Sequence, residues 1–270
     1  MLQNNTIGFI GGGNMAEALI RGLLAGGLPA SRIRVTEPLA ARRDYLLEMY
    51  GVEAGTSNRS LAKGCDVAIL AVKPQIAPAL LTELADVLPK TTLLVSIMAG
   101  ITCAAIESAF IRPVRLVRVM PNTPALVLAG ASALCRGSHA EEGDLALAEA
   151  IFAQVGTTCR VDERLIDAVT GLSGSGPAYV LTFIEALADG GVKNGLTRET
   201  SLALAAQTVL GTARLLLAGS EHPASLRDKV TSPGGTTIAG LHALEKGSFR
   251  ATVMGAVDAA TRRAEELGRK

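Results

Sequence analysis

Two glycine-rich turns, one toward each end of the chain, carry residue types suited to holding anions. Toward the C-terminus stands Thr231-Ser232-Pro233-Gly234-Gly235-Thr236-Thr237. Pro233, Gly234 and Gly235 break regular structure, and 236–244 reads as a helix. A turn entering a helix leaves backbone N–H groups unpaired and aimed one way. The helix dipole adds positive potential there, so a small carboxylate suits the spot. Ser232, Thr236 and Thr237 add hydroxyls. One such turn alone also describes an ordinary helix cap. A second turn, Thr6-Ile7-Gly8-Phe9-Ile10-Gly11-Gly12-Gly13-Asn14-Met15-Ala16, makes a ligand the better reading.

In that second turn an apolar strand over 6–10 runs into Gly11-x-Gly13-x-x-Ala16, and an amphipathic helix starts near Asn14. This is a dinucleotide fingerprint with Ala in third position. Gly11 permits the tight turn, Gly13 lets a pyrophosphate approach the backbone, and Ala16 keeps helix and strand close.

These turns need a frame. Strands are expected at 6–10, 32–36, 66–72, 92–97 and 114–119, with helices at 14–26, 39–50, 75–87 and 102–109. Apolar strands separated by helices predict a parallel, doubly wound sheet. A strand over 131–135 precedes a helix opened by the capping box Ser138-x-x-Glu141, and a short strand covers 157–161. After Asp162 only helices are expected: 163–171, 175–193, 198–218, 223–230, 236–246 and 248–267. The fold class is therefore α/β. A Rossmann-type domain spans 1–161 and an all-α dimerisation domain 162–270. Helix 198–218 is apolar around most of its circumference, through Leu202, Leu204, Val209, Leu210, Leu215, Leu216 and Leu217. So small a domain cannot surround it alone, which predicts a dimer interface.

Strand ends in open α/β sheets face the ligand crevice. This places Lys73, then Met98, Ala99 and Gly100, beside a cofactor. Glu37 closes the second strand, where an acid hydrogen-bonds a ribose hydroxyl and favours NAD. Arg42 and Arg43 follow and suit a 2′-phosphate. The opposed signals predict use of both NADH and NADPH.

Lys and Arg number 26 against 25 Asp and Glu, so no field draws nucleic acid or membrane. Gln207 and Arg214 interrupt the most apolar helix, which argues against a membrane span. The four cysteines are scattered, without zinc spacing, and no signal peptide is seen at the N-terminus. A cytoplasmic protein without a metal is expected. His139, His222 and His242 have no acid at a useful spacing, so no acid/base dyad is expected. Oxidising an alcohol requires removing a proton; reducing an imine does not, because the nitrogen can arrive protonated.

Five motifs, in order, resemble the pyrroline-5-carboxylate reductase family. They are the 7–16 fingerprint, Leu70-Ala71-Val72-Lys73-Pro74-Gln75, Val119-Met120-Pro121-Asn122-Thr123-Pro124, 172–179, and the 228–237 run that ends in the anion turn. The resemblance spans the chain. It implies NAD(P)H-dependent reduction of 1-pyrroline-5-carboxylate to L-proline, the last step of proline biosynthesis, by dimers or rings of dimers. It implies that Ile10, Gly11, Gly12, Gly13, Asn14 and Met15 cradle the pyrophosphate, and that Asn58 lines the cofactor path with 71–74. Lys229 is carried over as a polar neighbour of the cofactor. Ser232, Gly234, Gly235, Thr236 and Thr237 are implied to hold the small-molecule substrate, with Thr237 at the ring nitrogen. Cofactor and substrate turns then lie in different domains, so the site is expected between them. A hydroxyacid dehydrogenase of the 6-phosphogluconate type shares the architecture but places a catalytic Lys where Val180 stands. A non-catalytic NAD(P)H sensor is disfavoured by the intact substrate turn.

Overall fold

The computed structural model describes residues 2–268. In chain order its elements begin with β1 (Ile7–Ile10), α1 (Asn14–Ala25), β2 (Ile33–Thr36), α2 (Ala40–Tyr50), β3 (Ala54–Gly55), α3 (Asn58–Lys63) and β4 (Val67–Leu70). Next come α4 (Ala77–Ala85), β5 (Leu93–Ser96), α5 (Cys103–Glu107), β6 (Leu116–Met120), β7 (Gly130–Arg136), α6 (Glu142–Phe152) and β8 (Gly156–Arg160). Helices follow: α7 (Ile166–Val169), α8 (Gly176–Lys193), α9 (Arg198–Ala218), α10 (Pro223–Lys229), α11 (Thr236–Lys246) and α12 (Phe249–Gly268).

The strands form one sheet ordered β3-β2-β1-β4-β5-β6-β7-β8. Strands β1 and β4 lie side by side in parallel, with Ile10 opposite Leu70. The chain winds outward from this pair in both directions, which makes it the topological switch point. Strands β1, β4 and β5 are buried on both faces. Alternate residues serve opposite cores, as the pleat requires. Phe9, Ile69 and Val95 meet α1 and α6 through Leu19, Leu23 and Ile151. Ile10, Leu70 and Leu94 meet α4 and α5 through Leu80, Leu84 and Ile106.

Four details differ from the sequence reading. Strand β7 runs antiparallel to β6, so the sheet is mixed. Only a 3-10 turn, Thr123–Val127, separates the two strands. That is too short for the crossover a parallel pair needs. Second, β3 and α3 were not expected. β3 is two residues long, with no apolar run to mark it. Third, Ser138 does not cap α6. Its N–H and hydroxyl donate to Glu107, and Glu141 is the N-cap, its N–H donating to Asp144 at 2.9 Å. Fourth, 163–171 is not one helix. A 3-10 turn precedes α7, and a π turn, Thr170–Gly174, follows, closed by Ser175 N–H donating to the Thr170 carbonyl at 2.8 Å.

The described chain divides into two compact units. One runs to Ser175 and resumes at Ala259; the other is Gly176–Asp258. In the second unit α8 and α9 pack through small residues, with Gly191 against Ser201. α9 buries only Ser201 and Ala205. Leu202, Leu204, Leu210, Leu215 and Leu217 are exposed in the single chain, Leu217 to 80%. By length and composition alone α9 is apolar enough to cross a membrane. Its Leu face is what a subunit interface would cover.

Candidate functional site

At the switch point, Gly11 adopts φ 100° and a Cβ there would lie 2.5 Å from the Ala71 carbonyl. Only glycine fits this turn. Gly11 N–H donates to the Thr36 carbonyl at 2.9 Å, and Ala71 N–H to the Ile10 carbonyl at 2.8 Å. The ends of β1, β2 and β4 are thereby tied into one rim. The Ile10 side chain and its carbonyl are thus engaged in the fold.

Gly13 is the N-cap of α1 and makes no side-chain cap. An added Cβ there meets nothing within 4 Å. The N–H groups of Asn14, Met15 and Ala16 have no partner among the described residues. Exposed Gly13 and Asn14 therefore front a helix head with free donors and open space. A pyrophosphate fits such a head.

Glu37 sits beside this head. Its carboxylate accepts Gly12 N–H and Leu39 N–H, both at 3.0 Å. Arg42 donates to the Gly12 carbonyl at 2.6 Å and to Glu17, and lies over the Tyr45 ring at 4.9 Å. Arg43 donates to the Glu37 and Pro38 carbonyls. Burial alone would raise the Glu17 pKa, but hydrogen bonds from Tyr50, Arg42 and Tyr45 outweigh it and hold Glu17 below the usual carboxylate range. Sequence reasoning singled out Glu37, Arg42 and Arg43 but missed Glu17, Tyr45 and Tyr50, which fix where Arg42 points. Replacing Glu37 with Ser removes a negative charge beside two guanidiniums. The kcat/KM ratio of NADPH over NADH is expected to rise about tenfold, equivalent to roughly 1.4 kcal/mol. Steady-state rates with each nucleotide test this, and an unchanged ratio would make Glu37 a brace for the Gly12 turn only.

Asn58 starts α3. Its Oδ1 accepts the Thr36 hydroxyl at 2.7 Å and its Nδ2 donates to Glu83 at 2.9 Å. Asn58 is thereby held at the carboxyl end of β2. Lys73 is exposed beyond β4 and pairs with no acid among the described residues. Val72 and Pro74 flank it, half-buried. Beyond β5 the Met98 side chain lies in the core at 2% exposure, whereas Ala99 is exposed. Met98 therefore packs in the core, and its N–H donates to the Ser96 hydroxyl at 3.3 Å. Asn122, in the Met120–Pro124 turn, accepts Ala131 N–H at 2.8 Å and donates to the Ser173 carbonyl at 3.0 Å, pinning the π turn.

In the helical unit, Gly235 N–H donates to the Ser232 carbonyl at 3.1 Å. Pro233 and Gly234, at φ 65°, hold the middle of that turn. This is the residue pattern of a type II turn. A Cβ on Gly235 would strike the Ser232 hydroxyl. Gly235 is the N-cap of α11 and offers no side chain, so the N–H groups of Thr236, Thr237 and Ile238 have no partner among the described residues. The Thr237 hydroxyl is half-buried beside them. A cavity of about 610 Å³ adjoins the turn, lined by Arg227, Thr231, Gly234, Gly235 and His242. Lys229 lies one turn earlier, donating to Glu221 at 2.7 Å.

The four cysteines are free. Burial pushes the Cys65 thiol up to about 12. Cys103, Cys135 and Glu163 converge in the fold although no spacing in the sequence links them.

The sheet order, the open glycine head at its switch point and a separate helical unit with a second free helix head define a dinucleotide-dependent oxidoreductase architecture. Residues 163–267 match the model for pyrroline-5-carboxylate reductase dimerisation. Residues 6–100 match that described as NADP oxidoreductase coenzyme F420-dependent. Pyrroline-5-carboxylate reductase from Arabidopsis thaliana is 49% identical over 97% of this chain and 95% of its own length. The solved enzyme of that name from Coxiella burnetii is 41% identical, with TM-score 0.94 over 98% of this chain and 99% of its own. Pyrroline carboxylate reductase from Plasmodium falciparum, solved with NADP bound, is 35% identical, with TM-score 0.89 over 99% of this chain and 100% of its own. The chain belongs to the pyrroline-5-carboxylate reductase family.

Proposed function

We propose that this protein reduces 1-pyrroline-5-carboxylate to L-proline, using NADPH or NADH, as the last step of proline biosynthesis. The observation that carries the reading is similarity over nearly the whole chain to proteins of that name, joined to two free helix heads of the right chemistry. When bound, the reduced nicotinamide supplies a hydride to C5 of the ring. The α1 head holds the pyrophosphate through the N–H groups of Asn14 and Met15, with Gly11, Gly12 and Gly13 giving it room. Glu37 and Asn58 line the adenosine side, and Ala71, Val72, Lys73, Pro74 and Ala99 the approach toward the nicotinamide.

Residues 1–161 supply the nucleotide site. Residues 162–270 supply the substrate turn and the dimer contact, where α9 and its exposed leucines pair with a second copy. Such dimers assemble into rings, and the enzyme acts in the cytoplasm. Ser232, Gly234, Gly235 and Thr236 hold the carboxylate through hydroxyls and backbone N–H groups. Thr237 orients the ring nitrogen. Lys229 is a polar neighbour of the cofactor.

Turnover is expected only with a cyclic imino acid. Loss of reduced-nicotinamide absorbance should follow addition of 1-pyrroline-5-carboxylate, and no NAD(P)H should form from NAD(P)+ on adding gluconate-type or simple 3-hydroxy acids. Reduction of NAD(P)+ by a hydroxy acid, or oxidation of NAD(P)H by a keto acid, with the pyrroline left unreduced, would overturn the proposal.

A further inference from the structure

Cys103 opens α5, Cys135 lies on β7, and Glu163 lies in the turn after β8. The two Sγ atoms and a Glu163 carboxylate oxygen all lie within 4.8 Å of one another. Both cysteines are 3% exposed. Glu163 Oε1 accepts Cys103 N–H at 2.6 Å and the guanidinium of buried Arg118 at 3.1 Å. Both bonds fall on that one oxygen, so Oε2 has no backbone or cationic donor among the described residues. A cavity of about 430 Å³, lined by Cys135, Asp162 and Glu163, opens beside the cluster.

From this geometry we propose a binding site for one thiophilic divalent cation of the zinc class, held by Cys103, Cys135 and Glu163. Donors around a tetrahedral zinc ion stand roughly 3.8 Å apart, so each ligand atom here has less than about 1 Å to move. Charge argues for a divalent ion. Two thiol protons leave as the ion enters. The pocket then keeps the net charge it had with Arg118 balanced by Glu163, and no uncompensated charge is buried. Soft sulfur ligands favour zinc over magnesium or calcium. The cavity gives the ion an entry path and leaves a fourth position for water.

Cobalt(II), added to the full-length protein under a non-thiol reductant, is the first probe. One equivalent per chain should give an intense thiolate-to-metal band, and zinc should displace it. Zinc should also raise the melting temperature, as a ligand of the folded state does. Cys103→Ser and Cys135→Ser should each weaken zinc binding at least tenfold, and Glu163→Gln should weaken it less. Cys159→Ser removes the exposed thiol and should change nothing. Absence of the charge-transfer band in the unsubstituted protein overturns the proposal, however the variants fold. So does tight zinc binding that survives in Cys135→Ser or disappears in Cys159→Ser.

Discussion

Gly13→Val is expected to cut NADPH affinity at least about 100-fold, a loss of roughly 2.7 kcal/mol, while the chain stays folded. Gly13 has φ −71° and ψ −174°, an extended conformation open to any L-residue. A Cβ there meets no protein atom within 4 Å. Valine therefore strains nothing in the fold, although it caps a helix less well than glycine, an effect of about 1 kcal/mol or less. The two γ-methyls project into the space that an anion must enter to reach the N–H groups of Asn14 and Met15. Gly11→Ala gives the contrasting result. There φ is 100° and the new methyl lies 2.5 Å from the Ala71 carbonyl, so stability itself should fall. Nucleotide titration followed by fluorescence, beside thermal melts of both variants, separates the two effects. Unchanged affinity in Gly13→Val would take the α1 head out of the nucleotide site.

What the sequence made legible depends on how local the physics is. β1 and the glycines after it form one continuous stretch, and each glycine has a steric reason visible in the residue order. The turn before α11 is equally local: Pro233 and Gly234 shape it, and Gly235 leaves the helix head uncapped. Pairing across the sheet is not local. Nothing in 130–136 distinguishes a parallel from an antiparallel strand; the short Thr123–Val127 turn decides it. β3 escaped because its ladder pairs only two residues of its own with Val35 and Thr36. Ser138 looked like a cap because its own neighbourhood has the capping spacing, but Glu107 takes its hydrogen bonds. Glu37 was read as a ribose ligand from its position. Its two bonds to Gly12 and Leu39 show that it braces the Gly12 turn. The Cys103, Cys135 and Glu163 cluster joins α5, β7 and the turn after β8, so only the completed fold reveals it.

Thr237→Ala is expected to lower kcat/KM by about 10- to 100-fold, the loss of roughly 1.4–2.7 kcal/mol of transition-state interaction. Thr237 lies in the first turn of α11, half-buried, next to the free N–H groups of Thr236 and Ile238. Its hydroxyl has no hydrogen-bond partner among the described residues, so it is available to a ligand. Positive charge on the ring nitrogen disappears as hydride reaches C5. A hydroxyl at the helix head can orient that nitrogen and pass its proton, while the N–H groups hold the carboxylate about 3 Å away. The alanine variant loses the hydroxyl and one methyl of a half-buried side chain. Gly235 remains the N-cap, so the helix keeps its start and the α1 head is untouched. Melting temperature and NADPH affinity should therefore stay near those of the parent. Thr237→Ser keeps the hydroxyl and should recover most of the rate. The pH profile adds a further reading. If the hydroxyl passes the proton, the alanine variant should lose rate most where the substrate nitrogen arrives unprotonated, at higher pH. A fully active alanine variant would reduce Thr237 to a helix-start residue and leave orientation to the backbone N–H groups alone.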